Sequence, residues 1–318
     1  MSERRILVTG AAGQIGSELV PALRARYGAD RVVGSDVRLP SGVIGDGPFE
    51  HVDCTHIREL DHAVRRWDIG TIYHLAALLS AVAEERPRVA WEVNMGGLYR
   101  VLEVARSHRC SIFLPSSIGA FGPSTPRQAA PQDTLQRPTT MYGITKVASE
   151  LLCDYYHDRF GLDTRGLRFP GLVSHVAPPG GGTTDWAVDI FHRAVRGERY
   201  VCFLRDDTRL PMMYMSDAIR AITLLMEAEP GALVHRNAFN IAAMSFTPTE
   251  LHAEIRRHRP GFEMTCEIDP VRQAIADSWP ESIDDSDARA EWGWKAEVDL
   301  PTMTLNMLEK LSERARDA

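Results

Sequence analysis

Arg5-Ile6-Leu7-Val8-Thr9-Gly10-Ala11-Ala12-Gly13-Gln14-Ile15-Gly16 decides the fold. A short β-type run leads straight into three glycines spaced Gly-x-x-Gly-x-x-Gly, and an amphipathic stretch over residues 14–27 follows at once. Glycines let the chain turn tightly and bring backbone N–H groups up to an anion, and a helix start favours negative charge there. A strand, a glycine turn and a helix in this order open a phosphate-binding βαβ unit. Gly10, Gly13 and Gly16, with Gln14 and Ile15 between them, are therefore expected to hold a dinucleotide pyrophosphate.

Outward from this stretch, β-type runs at 31–35, 49–52, 71–75, 111–114 and 164–169 alternate with helix-like segments at 57–67, 89–107 and 141–160. Strands alternating with helices predict a doubly wound parallel sheet of the α/β class. The pattern changes near Pro170. Pro/Gly-rich loops are expected at 123–138 and 177–182. Helices follow at about 184–196, 216–228, 247–258 and 300–315, with short strands near 200–204, 237–241 and 264–268. This reads as a smaller α/β region beside the sheet, with the strand near 238–241 able to rejoin the first sheet. The expected division is residues 1–170, rejoined by about 216–243, and a smaller unit of 171–215 and 244–318.

The 318 residues carry a net charge of −7, which disfavours a nucleic-acid partner, since phosphate binding wants a basic field. Five cysteines with no Cys-x-x-Cys pair, and no apolar run approaching the ~20 residues of a membrane span, point to a cytoplasmic protein with reduced thiols. Only Lys146, Lys295 and Lys310 are lysine, so a lysine inside a motif is informative.

Asp36, at the end of the second strand, lies where a carboxylate accepts the ribose hydroxyls of the adenosine and repels a 2′-phosphate, which predicts NAD over NADP. Arg38 nearby is the residue that could accept such a phosphate. Tyr142-Gly143-Ile144-Thr145-Lys146 places a phenol and an ammonium on one helix face. A tyrosine is a poor base at neutral pH until a neighbouring lysine and a positive nicotinamide favour its phenolate. With 8 tyrosines and so few lysines, chance gives roughly 0.08 such pairs. Ser116 and Ser117 close the fifth strand at the carboxyl edge of the sheet, where ligands bind. With Tyr142 and Lys146 they make a proton-transfer site for oxidising a secondary alcohol.

Gly10-x-x-Gly13-x-x-Gly16, Asp36, His74-Leu75-Ala76-Ala77, Ser117 and Tyr142-x-x-x-Lys146 together resemble the extended short-chain dehydrogenase/reductase family, which contains UDP-galactose 4-epimerase. The resemblance spans nearly the whole chain. It implies a Rossmann-type domain with a smaller α/β substrate domain, Tyr142 as general base, Lys146 on the nicotinamide ribose and Ser117 orienting the reacting oxygen. It also implies Asp53 and Cys54 near adenine, and Leu75, Ala76, Ala77, Asn94, Pro170 and Leu172 along the cofactor. Dehydratases of the family carry an Asp-Glu pair where this chain has Ile118-Gly119, and its epimerases usually have an asparagine where this chain has Phe169-Pro170-Gly171.

Pro178-Pro179-Gly180-Gly181-Gly182-Thr183-Thr184-Asp185-Trp186 leads into a helix start. Its N–H groups and hydroxyls could hold a small carboxylate and Asp185 an ammonium, or the segment is an ordinary capped helix. With Leu78-Leu79-Ser80, the segment 208–215, the segment 277–286 and Glu291-Trp292-Gly293-Trp294, it resembles the short-chain-type L-threonine 3-dehydrogenases of the family, although Trp186 stands where that branch has tyrosine. The implied reaction is oxidation of the L-threonine 3-hydroxyl by NAD+, with Ser80, Gly182, Thr183, Thr184 and Asp185 holding the substrate. The runner-up enzyme is a nucleotide-sugar 4-epimerase, and a different class is a cofactor-binding regulator that has lost its chemistry. A homodimer through 89–107 and 141–160 is expected by analogy with the family.

Several conspicuous residues are not assigned chemistry. His51, His56 and His62 are not spaced to put ligands on one helix face, and no metal is expected. His74 reads as a satisfied strand-end histidine, Asp284-Asp285-x-Asp287 as a helix start and Arg256–His258 with Arg259 as a solvated helix end. Trp279 is either a lid over a small substrate or part of the core.

Overall fold

The computed structural model describes residues 4–39, 44, 46–178 and 180–317. Residues 1–3 and Pro179 of the Pro/Gly-rich loop lie outside the described residues. The chain runs β1 (Arg5–Thr9), α1 (Gly16–Tyr27), β2 (Val32–Asp36), β3 (Phe49–His51), α2 (Ile57–Arg66), β4 (Ile69–His74), α3 (Ser80–Glu85), α4 (Pro87–Trp91), α5 (Leu98–His108), β5 (Ser111–Ser117), α6 (Met141–Phe160) and β6 (Thr164–Phe169). It continues as β7 (Gly171–Val173), α7 (Trp186–Arg196), β8 (Tyr200–Cys202), β9 (Leu210–Tyr214), α8 (Met215–Glu227), β10 (Phe239–Asn240), β11 (Met244–Phe246), α9 (Pro248–His258), β12 (Met264–Cys266), α10 (Pro270–Asp277), α11 (Ser286–Trp292) and α12 (Leu300–Asp317).

Seven strands pair in the order β10-β6-β5-β4-β1-β2-β3, all parallel. Strand side chains alternate between faces. Ile6 and Val8 therefore pack with Leu19, Leu23, Ala221 and Leu225 of α1 and α8, while Leu7 faces Leu60, Leu102 and Tyr156 of α2, α5 and α6. Burial on both faces explains the unbroken apolar runs Ile6-Leu7-Val8 of β1 and Ile112-Phe113-Leu114 of β5. The strand order reverses between β1 and β4, and that reversal opens a crevice at their carboxyl ends.

The later elements form a second core around Trp186, Phe191, Phe246, Leu251 and Met307. The strand expected near 238–241 does rejoin the large sheet, as β10 on the β6 edge. β7 and β9, which pair in parallel, are not legible in the sequence. Pro211 inside the β9 run argues against a strand; here it stands opposite Ser245 of β11. The 123–138 segment is less superficial than its composition suggests. Ala130 is fully buried and bridges Ile283, with Ala130 N–H donating to Ser282 O at 3.0 Å and Asp284 N–H to Ala130 O at 3.0 Å. Arg127 pairs with Glu281 at 2.7 Å beside this ladder. The loop after β5 is thereby fastened to the segment after α10.

Asp217, at the start of α8, is 1% exposed and accepts N–H bonds from Glu297 at 3.0 Å and Val298 at 3.0 Å, with Arg220 at 2.9 Å. An Asp217→Ala variant strands those donors and is expected to lose about 2–3 kcal/mol of stability, read by chemical denaturation.

Candidate active site

The glycine turn is dictated by close packing. Gly10 has φ +71°, and a Cβ there would stand 2.7 Å from Ala76 N; at Gly16 it would stand 2.4 Å from Gly10 O. At Gly13 a Cβ would meet only Gly10 O, at 3.1 Å. The turn thus touches the chain after β4 on one side and offers its backbone to a cavity on the other. That fits the close approach of a pyrophosphate to the start of α1. Gln14 Nε2 donates to Leu172 O at 3.3 Å, tying the turn to β7. Asp36 Oδ2 accepts Ala12 N–H at 3.0 Å, and its Oδ1 accepts Arg38 N–H at 2.9 Å and Arg38 Nε at 3.3 Å. The arginine weighed as a phosphate ligand is therefore engaged by the carboxylate it would have to oppose.

α6 carries the tyrosine–lysine pair expected to react. Thr140 caps it by accepting Gly143 N–H at 3.0 Å. A Cβ at Gly143 would lie 2.3 Å from Gly119 O, so the helix start rests directly on the turn that follows β5. Tyr142 and Lys146 are buried one turn apart, with Lys146 Nζ 5.4 Å from the centre of the phenol ring. Burial pushes the Tyr142 phenol up to about 12, against a hydrogen bond with Ser117 that lowers it. Burial pulls Lys146 down to about 8, opposed by the charge of Glu150. Lys146 Nζ donates to Pro115 O at 2.6 Å. Ser117 Oγ accepts Gly119 N–H at 3.1 Å on the Tyr142 side, whereas the Ser116 hydroxyl turns away and donates to Glu150. His74 is a satisfied strand-end histidine: Nδ1 meets Thr9 Oγ1 at 2.7 Å, and burial, then the Lys146 charge, hold its pKa down to about 3.

One cavity of about 400 Å³ runs from the glycine turn past Tyr142, Lys146 and Ser117 to the loop before α7. Gly10, Gly13, Gln14, Ile15, Gly16, Leu75, Ala77, Pro170 and Leu172 line its cofactor end. Ser80, Gly182, Thr183, Thr184 and Asp185 line the other, with Trp279. Ser80 Oγ and Thr183 Oγ1 are 3.3 Å apart, joining α3 to the loop. Asp185 does not cap α7 with its side chain. Its Oδ2 accepts N–H bonds from Gly181 at 2.7 Å and Gly182 at 2.8 Å, holding the glycine loop shut, and burial raises its pKa against those two bonds. Trp279 belongs to the second core and also lines the cavity.

Five expected cofactor residues do not line this cavity. Asp36 braces the turn, Ala76 packs on Gly10, and Cys54 packs on Gly97. Asp53 Oδ1 accepts from Thr55 N–H at 2.8 Å. Asn94 lies in a π-helical turn, Glu92–Gly97, and holds Leu78 N–H at 2.8 Å and Thr145 Oγ1 at 3.2 Å, so it fixes the lining segment rather than lining it. Leu79, Val82, Ile118 and Phe169 line the cavity without having been assigned a binding role. Phe169 could have been found from its place at the end of β6. Away from the cavity, His235, Asp287 and Glu291 have ligand-type atoms within 4.8 Å of one another. Glu291 also accepts the backbone N–H of Val234 at 2.6 Å, which makes the group a tie between that turn and α11.

A phosphate-binding βαβ turn, a reversal crevice and a buried tyrosine–lysine pair define a dinucleotide-dependent enzyme of the short-chain type. Residues 6–242 match the NAD dependent epimerase/dehydratase family, and the chain belongs to it. An uncharacterized epimerase/dehydratase of Staphylococcus haemolyticus is 53% identical over 315 residues, covering 98% of this chain and 99% of its own. The X-ray structure of L-threonine dehydrogenase from Clostridium difficile matches with a TM-score of 0.96 at 53% identity, over 98% of each chain. The holo form of a GalE-like L-threonine dehydrogenase from Cupriavidus necator matches with a TM-score of 0.94 at 53% identity, over 96% of this chain and 99% of its own. Family and neighbours together indicate an enzyme of the NAD-dependent oxidoreductase and epimerase type, using NAD(H). Among the described residues no helix is long and apolar enough to cross a membrane.

A Gly10→Ala variant must push the Leu75–Ala76 backbone out of the crevice. NADH affinity, followed by its fluorescence on titration, is expected to fall by about tenfold or more, as one lost close backbone contact set would give.

Proposed function

We propose that this chain is an NAD-dependent L-threonine 3-dehydrogenase. The observation that carries the reading is that Tyr142 and Ser117 share one small cavity with Ser80, Thr183 and the Asp185 carboxylate. A β-hydroxy amino acid presents one reacting hydroxyl, one ammonium and one carboxylate. Asp185 Oδ1 suits the ammonium, and the hydroxyls and N–H groups at the loop suit the carboxylate. The names of the two solved neighbours support the same substrate.

The Gly10–Gly16 turn, the Leu75–Ala77 segment and Lys146 would hold NAD+, which when bound supplies the acceptor for the hydride leaving C3. Ser117 orients the substrate hydroxyl and Tyr142 takes its proton, so that threonine and NAD+ give 2-amino-3-ketobutyrate, NADH and a proton. The phenol must be deprotonated to act, and burial, partly offset by the Ser117 hydrogen bond, holds it near 12. A positive nicotinamide bound beside the phenol would lower that value, so activity is expected to rise with pH through the neutral range. Asp36 opposes a 2′-phosphate, which makes NAD+ the preferred cofactor over NADP+.

The test is NADH absorbance with L-threonine, against L-serine, D-threonine and UDP-galactose. Turnover on L-threonine, at least about tenfold better with NAD+ than with NADP+, is expected. Silence on L-threonine would overturn the substrate. A Tyr142→Phe variant is expected to lose turnover by roughly 10²–10⁴-fold while NAD+ binding survives; unchanged turnover would remove Tyr142 as the base.

We also propose that a second copy covers the outer face of α6. Ile144, Leu151 and Tyr155 recur at helical spacing on that face and are exposed, Leu151 by 62%, beside exposed Trp91 and Tyr99. The expected state is a homodimer by light scattering, and a Leu151→Glu variant is expected to be monomeric.

A further inference from the structure

Behind the reacting face of α6 lies a closed set of charges that the chemistry above does not use. Glu150 stands one turn beyond Lys146 and two beyond Tyr142, on the same side of the helix. It is 5% exposed. Its Oε1 accepts the Ser116 hydroxyl, and its Oε2 accepts Arg168 Nη2 at 2.9 Å and Gln136 Nε2 at 2.9 Å. Arg168 is the register partner of Ser116 across β5 and β6. Its other arm donates to Gln132 O at 2.8 Å and Asn240 Oδ1 at 3.2 Å.

A buried ion pair is a poor source of stability, since an apolar pair of the same volume commonly does as well. Its position is more telling. Lys146 holds the carbonyl of Pro115, and Glu150 holds the side chain of Ser116. Successive turns of α6 grip successive residues of β5, and the next residue is Ser117.

We propose that Glu150, clamped by Arg168, is a positioning residue for the reacting centre: it fixes the end of β5 against α6 and places a carboxylate one helix turn behind Lys146. The proposal rests on the roles given above to Tyr142 and Lys146. The titratable groups around Lys146 are Tyr142, Glu150 and Cys153 on its own helix, His74 on β4 and, behind Glu150, Arg168 on β6. Burial keeps the Tyr142 phenol and the Cys153 thiol protonated and His74 neutral. Farther along the helix, Glu84 of α3 is taken by Met141 N–H, and Glu103 of α5 by Arg106 and Tyr156. Among the described residues, Glu150 is thus the carboxylate whose charge reaches the ammonium.

The experiment is a Glu150→Gln substitution, which keeps shape and hydrogen bonding but removes the charge. NAD+ binding by titration calorimetry across pH needs no substrate and reads Lys146 directly; kcat and KM for L-threonine are measured alongside. The alkaline limb of NAD+ binding is expected to move down by about one pH unit, because an ammonium without its counter-charge loses its proton sooner. The expected fall in kcat is about tenfold or more, with KM changed less. Glu150→Asp is expected to restore the limb. Because glutamine leaves the Arg168 guanidinium buried without its partner, the neutral pair Glu150→Gln/Arg168→Gln is made in parallel, and a smaller shift in the same direction is expected. A wild-type limb in either folded variant, or an aspartate variant shifted as far as the glutamine one, overturns the proposal. A wild-type enzyme that binds NAD+ normally but leaves L-threonine unchanged overturns the substrate reading instead.

Discussion

A lysine ammonium under the floor of a cavity is the constraint on which the rest of this structure turns. Stripping an ammonium of water costs several kcal/mol unless other groups replace the water. Lys146 therefore needs a carbonyl, and Pro115 provides it. For that contact to form, α6 must lie hard against the end of β5. Gly143 and Gly119 permit the approach: a Cβ at Gly119 would come within 3.0 Å of the Tyr142 ring. Tyr142 is thus set beside Ser117 by the same packing that satisfies the lysine. The charge behind it, Glu150, has to be neutralised in turn, and Arg168 on the adjacent strand does so. Fold and site are one problem here, solved between a helix and two strands.

Interactions between near neighbours in the chain were legible in the sequence. The glycine turn after β1 and the Tyr142–Lys146 spacing each fall within one turn of chain, so their geometry follows from local rules. What depends on register was not. Only the family resemblance singles out Ser117 over Ser116; the physical reason is strand alternation, which sends one hydroxyl to Glu150 and leaves the other at Tyr142. Which serine goes where is set by the pairing of β5 with β6 and by the phase of α6. Asn94 was placed along the cofactor, but its amide spans Leu78 and Thr145, 16 and 51 residues away. β9 was hidden by Pro211. Asp185 was read as an ammonium partner or an ordinary helix-end acid; that its Oδ2 also holds the loop that precedes it was not legible.

The two ends of the cavity use glycine for different ends. At Gly10 and Gly16 the missing side chain allows backbone to touch backbone. Before α7, Gly181 (φ +91°) and Gly182 turn their N–H groups onto Asp185, so the loop closes on its own carboxylate. One end is rigid because nothing else fits, the other because a single acid holds it.

The scarcity of lysine has a practical side. Lys146 is buried, while Lys295 and Lys310 are exposed. The rest of the positive charge is arginine, whose guanidinium stays protonated and is a poor nucleophile at ordinary pH. Amine-directed dyes and cross-linkers will therefore find these two lysines on the outer surface, whereas Lys146 is reached only through the cavity it lines and is shielded when that cavity is filled. The protein can be labelled or tethered through them with its chemistry left intact.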